Sequence, residues 1–157
     1  MVAQRDGAFV AEKILYPAPT SDRASAFTHR PGSTTLTALA GRDGVWTLDI
    51  RKKTWTRTAV DDAVAVNTAG EGSALLVLTR DGVLHSIDPV SGAQTAHLAV
   101  SGGPVEGQPV IRIDPDRAYV NDIGGRKVHE IAYNDNLRVA RTFALDIAPS
   151  LMVETGL

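Results

Sequence analysis

The sequence predicts an all-β chain built from about three copies of one four-stranded antiparallel unit, and three observations carry that reading. Residues 34–49 and 73–88 each read as an alternating strand, an Arg-Asp-Gly-Val turn (Arg42 to Val45, Arg80 to Val83) and a second alternating strand. Residues 117–131 repeat the pattern with a longer glycine-bearing loop in place of the turn. Aligning the second strands puts Asp49, Asp88 and Ala132 in register, at steps of 39 and 44 residues (49 to 88, 88 to 132), the spacing of a four-stranded blade of roughly 40–50 residues. No helical spacing of apolar residues persists for a dozen positions, so nothing competes with strands.

The flanks complete each unit. Asp-Gly between alternating apolar runs is a hairpin signal, because glycine accepts the positive φ of a tight turn, and it makes the middle pair of each unit a hairpin. Polar clusters at 51–53, 89–92 and 134–136 then lead into outer strands at 54–60, 93–100 and 137–145. Shorter apolar stretches at 24–28, 63–67 and 109–113 precede the hairpins and suit inner strands. A four-stranded sheet with two apolar faces must stack on its neighbours, which is the logic of a β-propeller. The expected division is a blade end at 1–20, blades at 21–60, 61–100 and 101–147, and a tail at 148–157 that starts another. Closure takes about four to eight blades, so the chain reads as an incomplete propeller whose open faces favour self-association.

Composition narrows function. With 16 Lys and Arg against 18 Asp and Glu, no field favours nucleic acid or anionic lipid. The basic tip Arg51, Lys52, Lys53 lacks interleaved aromatics, and the chain has only eight aromatic residues (2 Trp, 3 Tyr, 3 Phe). The longest apolar run, 74–78, is too short to cross a bilayer. Cysteine is absent, so a metal site would need imidazole and carboxylate. The first residues lack a secretory signal. Gly70 to Gly72 and Gly102, Gly103 precede no helix or Lys, and Ser73, Ser86 and Ser91 sit at no nucleophile elbow, so no catalytic residue is assigned and no enzyme is expected.

The segments 81–92, 118–122 and 128–131 resemble blades of the YVTN and quinoprotein-type bacterial propellers. Taken together, Arg5-Asp6-Gly7-Ala8-Phe9, the Arg-Asp-Gly-Val hairpins, Ala118-Tyr119-Val120-Asn121-Asp122 with Val128-His129-Glu130-Ile131, and Leu151-Met152-Val153-Glu154-Thr155-Gly156 resemble the C-terminal part of the periplasmic zinc metallochaperone propellers, the AztD family. The resemblance implies a zinc-binding protein, periplasmic in its full-length parent, that delivers zinc to the solute-binding protein of a zinc ABC transporter. The family's secretion signal and His/Asp-rich N-terminal segment are missing from this sequence, which implies a C-terminal fragment with a partial zinc site.

Zinc needs about three or four converging imidazole or carboxylate groups, and the candidate donors are His29, Asp122 and His129. His29 follows an inner strand, which lines a propeller's channel; its competing reading is an exposed turn residue. His129 lies near Asp122 at the end of the adjacent strand. His85 and His129 share a position with Trp46, two residues before the aligned Ile87 and Ile131, which argues for packing between blades. His97 falls on an outer strand and reads as surface, and Asp61, Asp62, Asp114 and Asp116 read as turn carboxylates. The rival functions are a quinoprotein or lactonase-type enzyme fragment and a non-metal interaction propeller. A quinone site would need stacking tryptophans, and Trp46 and Trp55, on a middle and an outer strand, are not expected to converge.

Overall fold

A computed structural model describes residues 1–17, 21–153 and 155. Positions 18–20 of the expected blade end and 154, 156 and 157 of the tail lie outside the described residues. The described chain holds strands and turns without a helix, arranged as four separate antiparallel sheets. An N-terminal hairpin pairs β1 (Val2–Arg5) with β2 (Ala8–Ala11). Blade 1 contains β3 (Thr35–Leu39), β4 (Gly44–Asp49) and β5 (Thr54–Ala59). Blade 2 runs through β6 (Ala63–Thr68), β7 (Leu75–Thr79), β8 (Val83–Ile87) and β9 (Gln94–Ala99). Blade 3 runs through β10 (Ile111–Ile113), β11 (Ala118–Asp122), β12 (Lys127–Ala132) and β13 (Arg138–Ala144). Strands follow chain order in every sheet, so this is an incomplete all-β propeller.

Period-two alternation decides which neighbour each side chain meets. On β7, Leu75 and Val77 pack with Val45 and Val66 against blade 1, whereas Leu76 and Leu78 pack with Val120 and Ile131 against blade 3. Both faces of that strand are covered and all five of its residues are buried, which explains why the sequence there is a continuous apolar run and not an alternation. The β7–β8 turn places Gly82 at φ 87°, where a side chain would also strike the Gly103 carbonyl at 2.6 Å. In blade 1 the positive φ falls on Gly41 and not on Gly44. Gly44 is required for space instead, since a Cβ there would stand 2.9 Å from the Thr58 carbonyl oxygen.

One hydrogen bond recurs between blades. Thr28, Asn67 and Arg112 lie opposite Thr37, Leu76 and Tyr119, equivalent positions on the inner edge of successive blades. The Thr28 hydroxyl donates to the Val66 carbonyl at 2.6 Å, Asn67 Nδ2 to that of Ile111 at 2.8 Å, and Arg112 Nε to that of Met152 at 3.1 Å. Met152 therefore occupies, beside blade 3, the place that Ile111 holds beside blade 2, and the tail follows the inner-strand path of a fourth blade.

Two expectations need correction. The inner strand at 24–28 is reduced to a single bridge, Thr28 to Thr37, and Ser25 and Ala26 stand exposed. The two tryptophans do converge. Trp46 and Trp55 lie on the face of blade 1 turned away from blade 2, and the chain before Thr28 folds across that face. Tyr16 stacks on Trp55 with centroids 4.3 Å apart, Phe27 lies 6.0 Å from the same ring, and Trp46 Nε1 donates to the Asp22 carbonyl at 2.6 Å.

Candidate functional site

The position shared by Trp46, His85 and His129 is the third strand's contact with whatever precedes each blade, and the structure gives it three different partners. For Trp46 that partner is the folded-back chain just described. His85 faces blade 1 across a groove of about 440 Å³ lined also by Asp61, Asp62 and Gln94. Its Nε2 lies 3.0 Å from Thr79 Oγ1 and its Nδ1 lies 2.6 Å from Gln94 Oε1, so both ring nitrogens are engaged. The Thr79 hydroxyl also reaches Asp81 Oδ1 at 2.6 Å and holds that carboxyl below its ordinary range. This chain of contacts ties the hairpin turn to the strand.

His129 faces blade 2. It lies opposite Val120, whose side chain is in the core between blades 2 and 3. Its Nδ1 is 3.1 Å from Thr142 Oγ1 on β13. Its Nε2 is shielded from water and makes no hydrogen bond of good geometry, although the Val100 backbone on blade 2 lies close enough to favour the protonated ring. Burial pushes the imidazole below its ordinary value, the Asp122 carboxylate pulls it up, and Lys127 pushes it down again. Burial thus favours the neutral ring, and the tautomer decides which of its two nitrogens carries the proton.

Asp122 shares that face. On β11 it is two residues from Val120 and opposite Lys127, and its Oδ1 accepts a hydrogen bond from Gly125 N at 3.0 Å. A side chain at Gly125 would collide with this carboxylate, so the loop glycine keeps the acid in place. The structure brings Asp122 and His129 together on one face and puts His29 elsewhere. His29 is exposed and lines an axial groove of about 320 Å³ with Phe27, Arg112 and Val153. Among the described residues no three His, Asp or Glu side chains converge closely enough to hold a metal. Imidazole and carboxylate are donor types that zinc accepts, and two such groups are fewer than the three or four that a protein site uses.

Two residues near the pair have no local sequence signal. Thr142 reaches His129 through cross-strand register, and Glu106, in the connection from blade 2 to blade 3, brings its carboxylate to within 3.0 Å of where a Cβ at Gly124 would stand. His97 lies opposite His85 on β9 and is exposed.

No family model and no curated protein matches the sequence. Among solved structures, apo AztD from Citrobacter koseri is similar with a TM-score of 0.76 and 17% identity, over 94% of this chain and 42% of that one. The WD40 domain of Toxoplasma gondii coronin matches with a TM-score of 0.61 and 13% identity, over 79% of this chain and 34% of the other. Kuenenia stuttgartiensis hydrazine synthase matches at 0.59 and 21%, over 79% and 36%. At these identities the likeness is one of fold, and this chain spans less than half the length of the structures it matches.

Proposed function

We propose that this chain is an arc of a zinc-carrying propeller of the AztD kind, periplasmic in its full-length parent, that binds the metal and passes it by protein contact to the solute-binding protein of a zinc ABC transporter. It acts without catalysing a reaction. The observation that carries the reading is the pairing of His129 and Asp122: a ring whose charged form burial disfavours, one nitrogen 3.1 Å from the Thr142 hydroxyl, and a carboxylate on the same face. Support also comes from the overlay, which is longer and tighter with AztD (0.76 over 94%) than with the coronin domain (0.61 over 79%). Two protein donors leave coordination positions for a ligand from an acceptor protein to fill.

The test is a zinc titration of chelator-stripped chain by calorimetry, followed by incubation of the loaded chain with the zinc-free solute-binding protein and metal analysis of each after separation. About one zinc per chain, recovered largely on the acceptor, is expected. No binding at tens of micromolar zinc, or metal that stays on the chain, would overturn the proposal.

A further inference from the structure

The axial groove of about 320 Å³ takes Phe27 and His29 from the segment that leads into blade 1, Arg112 and Ile113 from β10, and Val153 from the tail. None of the described residues that line it is acidic, although the chain holds more Asp and Glu than Lys and Arg (18 against 16). The groove at His85 is the opposite case, lined by Asp61, Asp62 and Asp81. We infer that the axial groove binds a small organic acid, with the ligand's carboxylate on the Arg112 guanidinium and its apolar body against Phe27 and Val153.

The anchor is Arg112. Elsewhere on the blades arginines meet carboxylates: Arg57 at Asp22, Arg80 at Asp62, and Arg117 and Arg141 at Glu130. Arg112 has no carboxylate partner among the described residues. It is half-buried, and its Nε donates to the Met152 carbonyl at 3.1 Å. That bond fixes the plane of the guanidinium and leaves its two terminal nitrogens to form the parallel N–H bonds that a carboxylate accepts. Asp114, the nearest acid along the strand, is already engaged. Its Oδ1 accepts from the backbone N–H groups of Asp116 and Arg117 at 2.8 and 2.6 Å, and its Oδ2 accepts from the Tyr119 hydroxyl at 3.2 Å. A partly desolvated guanidinium without a counter-charge attracts an anion more strongly than an arginine in open water does.

The remaining walls select the ligand. Phe27 and Val153 are exposed apolar side chains within the groove, and they offer an apolar body surface to cover. His29, also exposed, adds a ring N–H donor. A guanidinium in the same groove repels a metal ion, so His29 serves an anion better than zinc. Phosphate fits less well, because it is held where helix N-termini or successive backbone N–H groups converge, and the described chain has no helix. The volume is near the low end of the roughly 300–1,000 Å³ of ligand pockets, which suits a small acid. Inner strands line the central channel of a propeller, so the groove keeps its place in a longer molecule. This site is independent of the zinc reading, whose residues face blade 2 from blade 3.

Phenylacetate serves as the probe, with 2-phenylethanol as its uncharged counterpart and inorganic phosphate as an anion without an apolar body. Titration of the zinc-free chain, followed by proton–nitrogen spectra, should give saturable shifts at Arg112 Nε and the His29 ring with a submillimolar dissociation constant. Both comparison probes should bind at least tenfold more weakly. Arg112→Gln should weaken phenylacetate binding at least tenfold and Phe27→Ala about threefold, while Arg51→Gln, at an exposed hairpin tip, should leave it unchanged. Because Arg112→Gln also removes the bond to Met152, Phe27→Ala and the uncharged probe test the site with that bond intact. No saturation in the millimolar range, 2-phenylethanol or phosphate bound as tightly as phenylacetate, or unchanged affinity in Arg112→Gln would overturn the inference.

Discussion

His85 and His129 occupy the same position on successive blades and face the same direction, yet their chemistry differs. His85 has a partner at each nitrogen, Thr79 and Gln94, and serves the turn that Asp81 and Gly82 form. His129 has one side-chain partner, Thr142, and its second nitrogen is shielded from water with the Val100 backbone beside the ring. Repetition supplies the same imidazole twice, and the difference in neighbours makes one a brace and leaves the other with a single side-chain partner. A buried ring nitrogen without a partner is costly, and the Val100 backbone offsets part of that cost.

The comparison breaks most sharply on zinc. His129→Ala should weaken zinc binding by more than the roughly 10–100-fold that loss of an outer partner costs, whereas His85→Ala should leave affinity within about twofold. Isothermal titration of the two variants side by side decides it, and equal losses would mean that the grooves are not distinguished. Next in size is the packing between blades 2 and 3. Leu84, fully buried against blade 3, should cost about 2–5 kcal/mol when cut to alanine, read by urea denaturation. Val128, its counterpart on the face of blade 3 turned away from blade 2, is only half buried, and Val128→Ala should cost well under half as much.

Smaller effects refine the pair. Asp122→Asn keeps an acceptor for Gly125 N and should lower zinc affinity about tenfold; Thr142→Val frees the ring and should lower it by a similar factor, within the range for outer partners. Smallest is an acid effect at the brace. Asp81 is held below its ordinary value of 3.8, chiefly by the Thr79 hydroxyl. A carboxylate depressed on folding stabilises the native state above its unfolded value, and that contribution is lost as pH falls through the folded one. Thr79→Val should therefore flatten the loss of stability below about pH 4, and thermal melts between pH 3 and 5 would show it.

Much of the fold was legible. The Asp-Gly turns and the 39- and 44-residue steps located the hairpins of blades 1 and 2, and the longer loop located that of blade 3. The shared position of Trp46, His85 and His129 was readable as an inter-blade contact for the same reason, since repeat alignment preserves which face a residue takes. What could not be read depends on contacts distant in sequence. The inner strand at 24–28 is replaced by a segment tied to Tyr16 and Trp46, contacts that local propensity does not record. Trp46 and Trp55 touch edge to face across paired strands, and Tyr16, 30 and 39 residues earlier (16 to 46, 16 to 55), covers both rings. Strand assignment alone could not separate His29, on the axial groove, from the pair on blade 3, and Glu106 joins the neighbourhood only through a connecting loop.

The central claim of the proposed reading is that zinc meets His129 at Nε2, which among the described residues is the buried ring nitrogen without a hydrogen bond of good geometry. Long-range proton–nitrogen correlation spectra of the imidazoles, recorded through a zinc titration of the intact chain, test it directly. A shift at His129 Nε2 that saturates with the metal while both nitrogens of His85 stay in place is the predicted result. Movement at His85, or at His29 alone, with His129 unchanged would contradict it.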